Sequence, residues 1–521
     1  MYINDDKELF RNLLLHKDET ESVMGFALDW RELPERKASR IIIEKEVKFD
    51  DRTTWSQQFE YIMDVCLKMK RYLKSFCREN DKMFLLKKIV VENHQNTVLD
   101  VTFLDNQQKE QEQPFSTLIL GENGTGKSFL LKTIADIFIF LDKMPISKRK
   151  PRFRYEKFYV EYYLDNHRYE VNRISGREIL CKCDNEDIDF HDIKLPSSIL
   201  AVAFMVNDKF LFVDDVKQED GIYKYLGVRK TSNATYTSSV CDRVIECVTQ
   251  IINNGLLKEM STVMSVLHFD KILDIAFSNS SEGKNALVKE IKVDCSKEEK
   301  KVFEEQFIGR DKVSNLLKRR QIIPSQIFFY KNGEKIDFES CSSGEKHMIF
   351  ALSGIMNNIS KNSLVLIDEP EISLHPEWQI KYISLLKKVF KNYSGCHFIL
   401  ASHSHYLVSD LQEDTSSVVT LKKKNEKAPE AELLPCSTYA WSAENIIYNV
   451  FGLRTTRNYY FESDLHKLLM GMQKTEMTKE DFEEVKRLTD KLKKYIYNDE
   501  DPLDLIVKQA EGFLKCSHEN W

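Results

Sequence analysis

One octapeptide constrains the rest of the chain. Gly121-Glu122-Asn123-Gly124-Thr125-Gly126-Lys127-Ser128 matches G-x-x-x-x-G-K-[S/T] in full. The apolar run Ser116–Leu120 before it reads as a buried strand, and Phe129–Ile134 after it reads as a helix. A strand that turns through glycines into a helix is a phosphate-binding arrangement. Gly121, Gly124 and Gly126, with Asn123 between them, let backbone N–H groups converge on phosphate oxygens. The helix N-terminus adds positive partial charge. Lys127 is expected to reach the β- and γ-phosphates of ATP, and Ser128 to hold Mg²⁺.

Three further segments stand in phase with this loop. Leu364-Val365-Leu366-Ile367 reads as a buried strand whose end delivers Asp368 and Glu369. Asp368 is expected to bind Mg²⁺ and Glu369 to act as general base toward the attacking water. Cys341-Ser342-Ser343-Gly344-Glu345-Lys346 leads into a helix. Ser342, Ser343, Gly344 and Glu345 would then cap an N-terminus suited to an anion. Alone, such a segment is an ordinary helix cap. His403 follows the strand His397–Ala401 and is expected to sense the γ-phosphate.

These four elements, in this order, resemble the soluble ATP-binding-cassette (ABC) ATPases of the RecF/OLD-like branch, over about residues 82–436. The resemblance implies an α/β fold: an ABC-ATPase head with a mixed sheet, an antiparallel β-meander and a helical subdomain. Helical N- and C-terminal regions would flank it. Cys341–Glu345 stands where that family has its signature motif, with Ser342 and Gly344 matching. Glu371-Ile372-Ser373-Leu374-His375-Pro376 stands as the D-loop, and His403 at the switch histidine. Where a Q-loop glutamine is expected the sequence has Val206-Asn207-Asp208. One chain carries one phosphate loop and one signature segment, so the resemblance implies a homo-oligomer with composite ATP sites.

A narrower resemblance rests on Tyr223–Arg229, Ser437–Ile446 and Arg457–Phe461. These look like the ATPase subunit of Septu-type bacterial anti-phage systems, including retron-linked versions, which works beside a separate HNH nuclease. The alternative is a DNA-repair or chromosome-maintenance ABC ATPase acting on DNA directly. A sustained coiled coil would favour that alternative, and Gly255, Gly283 and Gly309 interrupt the region where one would lie.

The remaining sequence narrows the class. Lys and Arg total 76 against 82 Asp and Glu, so a generally basic nucleic-acid coat is excluded. Lys148–Arg154 and Lys422-Lys423-Lys424 are local candidates for nucleic-acid contact, although basic runs are more often solvated loops. The 11 scattered cysteines suit a reducing cytoplasm, and Cys181-Lys182-Cys183 reads as an incidental pair. No apolar run approaches the roughly 20 residues of a membrane span. The acidic N-terminus is not expected to be a targeting signal.

Texture divides the chain into five segments. Residues 1–81 read as a mainly helical accessory region, with an apolar stripe along Trp55–Phe76. Residues 82–237 hold the first half of the ATPase and 323–436 the second. Residues 238–322 read as a helical insertion, and 437–521 as a C-terminal helical region. There Tyr439, Trp441, Tyr448, Phe451, Tyr459, Tyr460 and Phe461 are expected to form a buried anchor cluster.

Overall fold

The computed structural model describes residues 2–4, 10–11, 13–14, 17–32, 38–42, 55–79, 83–93, 96–105, 113–144, 153–175, 178–205, 207–213, 221–229, 237–280, 287–297, 302–423, 429–434, 441, 445–446, 458–474, 478–496 and 502–518. The chain divides into two compact units, Met1–Tyr439 and Ala440–Trp521.

The larger part of the first unit runs β1 (Phe84–Asn93), β2 (Asn96–Thr102), β3 (Phe115–Gly121), α1 (Lys127–Lys143), β4 (Lys157–Leu164), β5 (His167–Arg173), β6 (Ile179–Cys183), β7 (Glu186–Ile188), β8 (Ile199–Ala203) and β9 (Tyr223–Gly227). It continues with α2 (Thr237–Asn253), α3 (Leu257–Val266), β10 (Ile272–Asn279), β11 (Leu287–Asp294), β12 (Ile322–Lys331), β13 (Glu334–Asp337), α4 (Ser343–Asn358), β14 (Leu364–Asp368), α5 (Tyr382–Val389), β15 (His397–Ser402), β16 (Ser416–Lys422) and β17 (Glu430–Leu433).

The central sheet has the order β9-β8-β14-β15-β3-β16-β17. Its strands are parallel except for β17, which pairs antiparallel with β16. β3, β8, β14 and β15 are short apolar runs buried along their whole length. Such runs suit parallel strands covered on both faces. On one face Ile119, Ala201, Leu366, Ile399 and Val419 share a core with Leu131, Ile134 and Phe138 of α1. The antiparallel sheet β7-β6-β5-β4-β1-β2 closes that core, through Ile89, Val160 and Val171 among others. The alternate residues serve the other face. Phe398 packs on Phe390 after α5, ring centroids 5.6 Å apart, and Leu226 lies against Gly354 of α4. The helix that follows the phosphate loop and the helix that follows Ser342 therefore cover opposite faces of the sheet.

One buried histidine ties the two sheets together. His397 Nδ1 accepts the Leu86 N–H from β1 at 3.1 Å. Its Nε2 must then carry the proton and donate to Thr117 Oγ1 of β3 at 2.8 Å. Thr117 in turn meets Ser417 Oγ of β16 at 2.8 Å. Complete burial pushes the His397 pKa down to about 3, so the ring stays neutral.

The segment 238–322 is helical at its start, in α2 and α3, and again in the short helix Val313–Lys318. Between and after these it forms strands, and β11-β10-β12-β13 make an antiparallel sheet of their own. Frequent charges hide the strand pattern, because buried Asp274 is neutralised by the Tyr330 hydroxyl at 2.7 Å and by Lys335 at 2.9 Å. These partners come from β12 and β13 and cannot be read from the local run.

The N-terminal region joins helices Lys17–Met24 and Trp55–Glu79 to a three-stranded sheet of Tyr2–Asn4, Asp29–Arg31 and Ala38–Ile42. Phe10, Leu13, Met24, Leu28, Ile41, Val65 and Met69 form its core. Along the long helix Phe59, Ile62, Met63 and Leu67 are exposed instead. The second unit holds helices Tyr459–Met472, Lys479–Lys493 and Pro502–His518 around Leu468, Leu488, Leu492 and Val507. Tyr459 and Tyr460 are 77% and 75% exposed, so they anchor nothing within this unit. The core is filled by aliphatic residues, with Phe461 packed partly buried against it. Tyr439, Tyr448 and Phe451 lie outside the described residues, as do most of Lys148–Arg154 and Lys424. Among the described residues no helix is long and apolar enough to cross a membrane.

Candidate functional site

Adjacent parallel strands deliver the site. β3 ends in the glycine loop, β15 lies beside it, and β14 lies beyond β15. The C-terminal ends of all three therefore meet at one edge. Gly124 and Gly126 sit at φ +81° and +97°, values that residues with a Cβ rarely adopt. Gly126 caps α1, and the loop closes on itself through Thr125 Oγ1 donating to the Glu122 carbonyl at 2.9 Å. Lys127 folds back over the loop and donates to the carbonyls of Gly121 at 2.7 Å and Glu122 at 3.0 Å. Burial pulls its pKa down, opposed by the carboxylates of Glu369, Glu371 and Asp368.

Ser128 Oγ donates to Asp368 Oδ1 at 3.0 Å, joining the two motifs across 240 residues of sequence. The Asp368 carboxyl is pushed up to about 7. Burial is the main cause, Glu369, Asp208 and Glu371 add to it, and the Ser128 bond opposes it. The Ser128 hydroxyl and the Asp368 carboxylate place two hard oxygen donors 3.0 Å apart. That donor set fits Mg²⁺.

Glu369 follows with φ +50°, a left-handed backbone that is costly for a residue with a long side chain. Its N–H is held by the Ala401 carbonyl at 2.9 Å. His403 Nδ1 lies 3.9 Å from Glu369 Oε1 and 3.0 Å from Glu371 Oε1. Lys127, Ser128, Asp368, Glu369 and His403 are thus brought together.

The Ser342–Glu345 segment is built differently. Ser342 caps α4, and Glu345 completes a capping box by accepting from Ser342 N and Oγ, both at 2.8 Å. Lys331 of β12 pairs with the same carboxylate at 3.1 Å. Among the described residues no hydrogen bond or ion pair joins Ser342, Ser343, Gly344 or Glu345 to Lys127, Ser128 or Asp368. Gly344 packs tightly on the loop after Glu369. A Cβ there would stand 2.8 Å from the Ser373 carbonyl and 2.9 Å from Trp378 Cζ3.

Two participants escape a reading of motifs alone. His347 on α4 is buried, stacks on Phe204 with centroids 3.4 Å apart, and bonds the Pro370 backbone. Burial takes its pKa down to about 3. Glu371 is the other. It lies two residues after Glu369, a spacing visible in Asp-Glu-Pro-Glu. At the expected Q-loop position, Asp208 is locked by Arg229 Nη2 at 2.6 Å and by the Tyr225 hydroxyl at 2.7 Å. Arg229 also reaches the Phe210 carbonyl and Tyr225. The segment Tyr223–Arg229 thus braces the loop after β8. Away from the site, Cys183 comes near His167 and Asp184 at two hairpin tips, where Asp184 closes its turn through His167 and the Arg168 N–H.

Residues 252–409 match the family described as "AAA domain, putative AbiEii toxin, Type IV TA system". Residues 1–76 match "Domain of unknown function (DUF4268)". The chain is 32% identical over 143 residues to a Septu protein PtuA of Bacillus thuringiensis, covering 24% of this chain and 35% of that protein. It is 30% identical over 145 residues to the retron Ec83 probable ATPase of Escherichia coli, covering 26% and 25%. The chain thus spans about a third or less of the length of these relatives. Among solved structures, the SMC head domain from Thermotoga maritima aligns over 67% of this chain and 98% of that one, at 14% identity and a TM-score of 0.34. The sequence matches relate the chain to Septu proteins PtuA and to retron probable ATPases.

Proposed function

We propose that this chain binds and hydrolyses ATP as the regulatory subunit of a bacterial anti-phage defence complex, and that it controls a partner nuclease of the HNH type. The observation that carries the hydrolytic part is the Ser128–Asp368 bond, with Lys127, Glu369 and His403 around it. Glycine-loop N–H groups and Lys127 would hold the phosphates. Ser128 and Asp368 would hold Mg²⁺, which supplies charge neutralisation at the β- and γ-phosphates. Glu369 would take the proton of the attacking water, and His403 would steady the γ-phosphate. The defence role is supported by the kinship with the Septu and retron proteins.

The site would be completed by a second protomer. α1 and α4 cover opposite faces of the sheet, and the Ser342–Glu345 side chains are engaged with their own helix and Lys331. What α4 has left to offer is its N-terminal dipole, which would meet the γ-phosphate bound by a neighbour. Mixing tests this. Lys127→Ala and Ser342→Arg chains should each be inactive. Their heterodimer gathers both lesions in one site and keeps the other intact, so activity should partly recover. Confirmed heterodimers without recovery, alongside a fully active dilute monomer, would rule out sharing. The effector is tested by co-purification with the product of the neighbouring gene, followed by nuclease assay with and without ATP. A DNA-acting role has less support, because the helices in the described part of 237–342 are 17, 10 and 6 residues long and make no long coiled coil.

A further inference from the structure

The loop after Asp368 and Glu369 carries a second glutamate with no task in the reaction above. Glu371 is 6% exposed. Its Oε1 accepts from Ser402 Oγ at 2.8 Å and from the His403 N–H at 2.8 Å, and His403 Nδ1 lies 3.0 Å from it. Among the described residues its Oε2 is buried with no hydrogen-bond partner, and so is the hydroxyl of neighbouring Tyr382. Leaving a buried carboxylate oxygen unpaired is costly, and an apolar residue would fill the space at less expense. The two donors it holds, and the ring nitrogen beside it, all belong to Ser402 and His403 at the end of β15.

We propose that Glu371 is a positioning residue for ATP hydrolysis that acts through His403. This rests on the ATPase reading and deepens it. A carboxylate can only accept, so Glu371 Oε1, 3.0 Å from His403 Nδ1, favours a proton on that nitrogen. A phosphate oxygen also only accepts, so Nε2 holds it only when it carries a proton of its own. One oxygen fixes the ring's tautomer, the backbone N–H of the same residue and the hydroxyl before it. The Glu371 backbone is held as well, since its carbonyl accepts from the Leu374 N–H at 3.0 Å. The loop that bears Glu369 and the strand end that bears His403 are thereby set relative to each other.

A double-mutant cycle tests the claim by single-turnover hydrolysis of γ-labelled ATP, which resolves slow rates. Glu371→Ala should lower the rate constant about 10²-fold, the scale of a misplaced reacting group, with the ATP dissociation constant little changed. In a His403→Ala background the same change should cost less than about threefold, because its target is gone. Equal losses in both backgrounds, or no loss in a wild-type chain that hydrolyses ATP, would overturn the proposal. ¹⁵N-histidine spectra, assigned by comparison with His403→Ala, give a second reading that needs no turnover. Wild type should show His403 protonated at Nδ1, and Glu371→Ala should lose that preference. A wild-type ring protonated at Nε2 alone would overturn the proposal. A wild-type chain that binds but does not hydrolyse ATP would defeat the ATPase reading instead, and the spectra would still decide the ring.

Discussion

Gly344→Ala is the sharpest perturbation of the contact between α4 and the loop that follows Glu369. The added methyl would stand 2.8 Å from the Ser373 carbonyl and 2.9 Å from Trp378 Cζ3. Ordinary contact needs about 3.4 Å or more, so one side must give by roughly 0.5 Å. Neither side gives easily. Ser373 has φ +62°, so its carbonyl is aimed by an already strained backbone. Its neighbour Leu374 is pinned through its carbonyl by Gln379 Nε2 at 2.9 Å. Overpacking of this kind costs about 1–3 kcal/mol. A shift of about 1 Å in a reacting group costs about 10²-fold in rate, so half of that shift predicts roughly a tenfold fall in kcat. Nucleotide affinity should hold, because the phosphate loop lies on α1 across the sheet. The assays are steady-state phosphate release per protomer, fluorescent-nucleotide titration and thermal melting. Wild-type kcat with an unchanged melting temperature would refute the argument that this contact couples α4 to the site.

Three further outcomes are expected. Lys127→Ala should weaken ATP binding in calorimetry by removing the cation over the loop, and unchanged affinity would count against the phosphate-loop assignment. Glu369→Gln should bind ATP yet hydrolyse it about 10²–10⁴-fold more slowly, measured as phosphate release per site. His397 should make stability depend on pH. Its folded pKa of about 3 lies below the unfolded value near 6.5, so the unfolded chain binds the extra proton. The contribution is full above pH 6.5 and is lost as pH falls toward 3, about 1.3 kcal/mol of it between pH 7 and 5.5. Urea unfolding of His397→Gln should show a loss smaller by that amount, and an equal loss would contradict the buried neutral ring.

What could be read from sequence followed from how narrowly chemistry restricts the residues. Gly124 and Gly126 stand out because few residues tolerate their φ. Asp368-Glu369 is a weak signal alone, since charged residues commonly follow strands, and stands out only in phase with the phosphate loop. β3, β8, β14 and β15 are uniform apolar runs, which a parallel sheet demands. Legibility fails where a residue's partner is distant. Asp274 looks like a surface charge until Tyr330 and Lys335 come from other strands. Asp208 looks like a missing glutamine until Arg229 closes on it. His347 gives no local sign of its stack on Phe204. The exposed Tyr459-Tyr460 pair leaves open whether a partner covers it, since aromatic density alone does not say which face of a helix is covered.

The backbone at Glu369 has a consequence for how this chain would diverge. At φ +50° a glycine or asparagine would sit more easily than glutamate, by about 1 kcal/mol or more. The native residue is held there against local preference, and removing it would make the fold more robust while abolishing its chemistry. A lineage released from the need to hydrolyse nucleotide should therefore drift toward Gly or Asn at position 369 early. A library screened for heat resistance alone would enrich the same replacements, so the residue found at 369 would show whether a copy is still under selection to turn over.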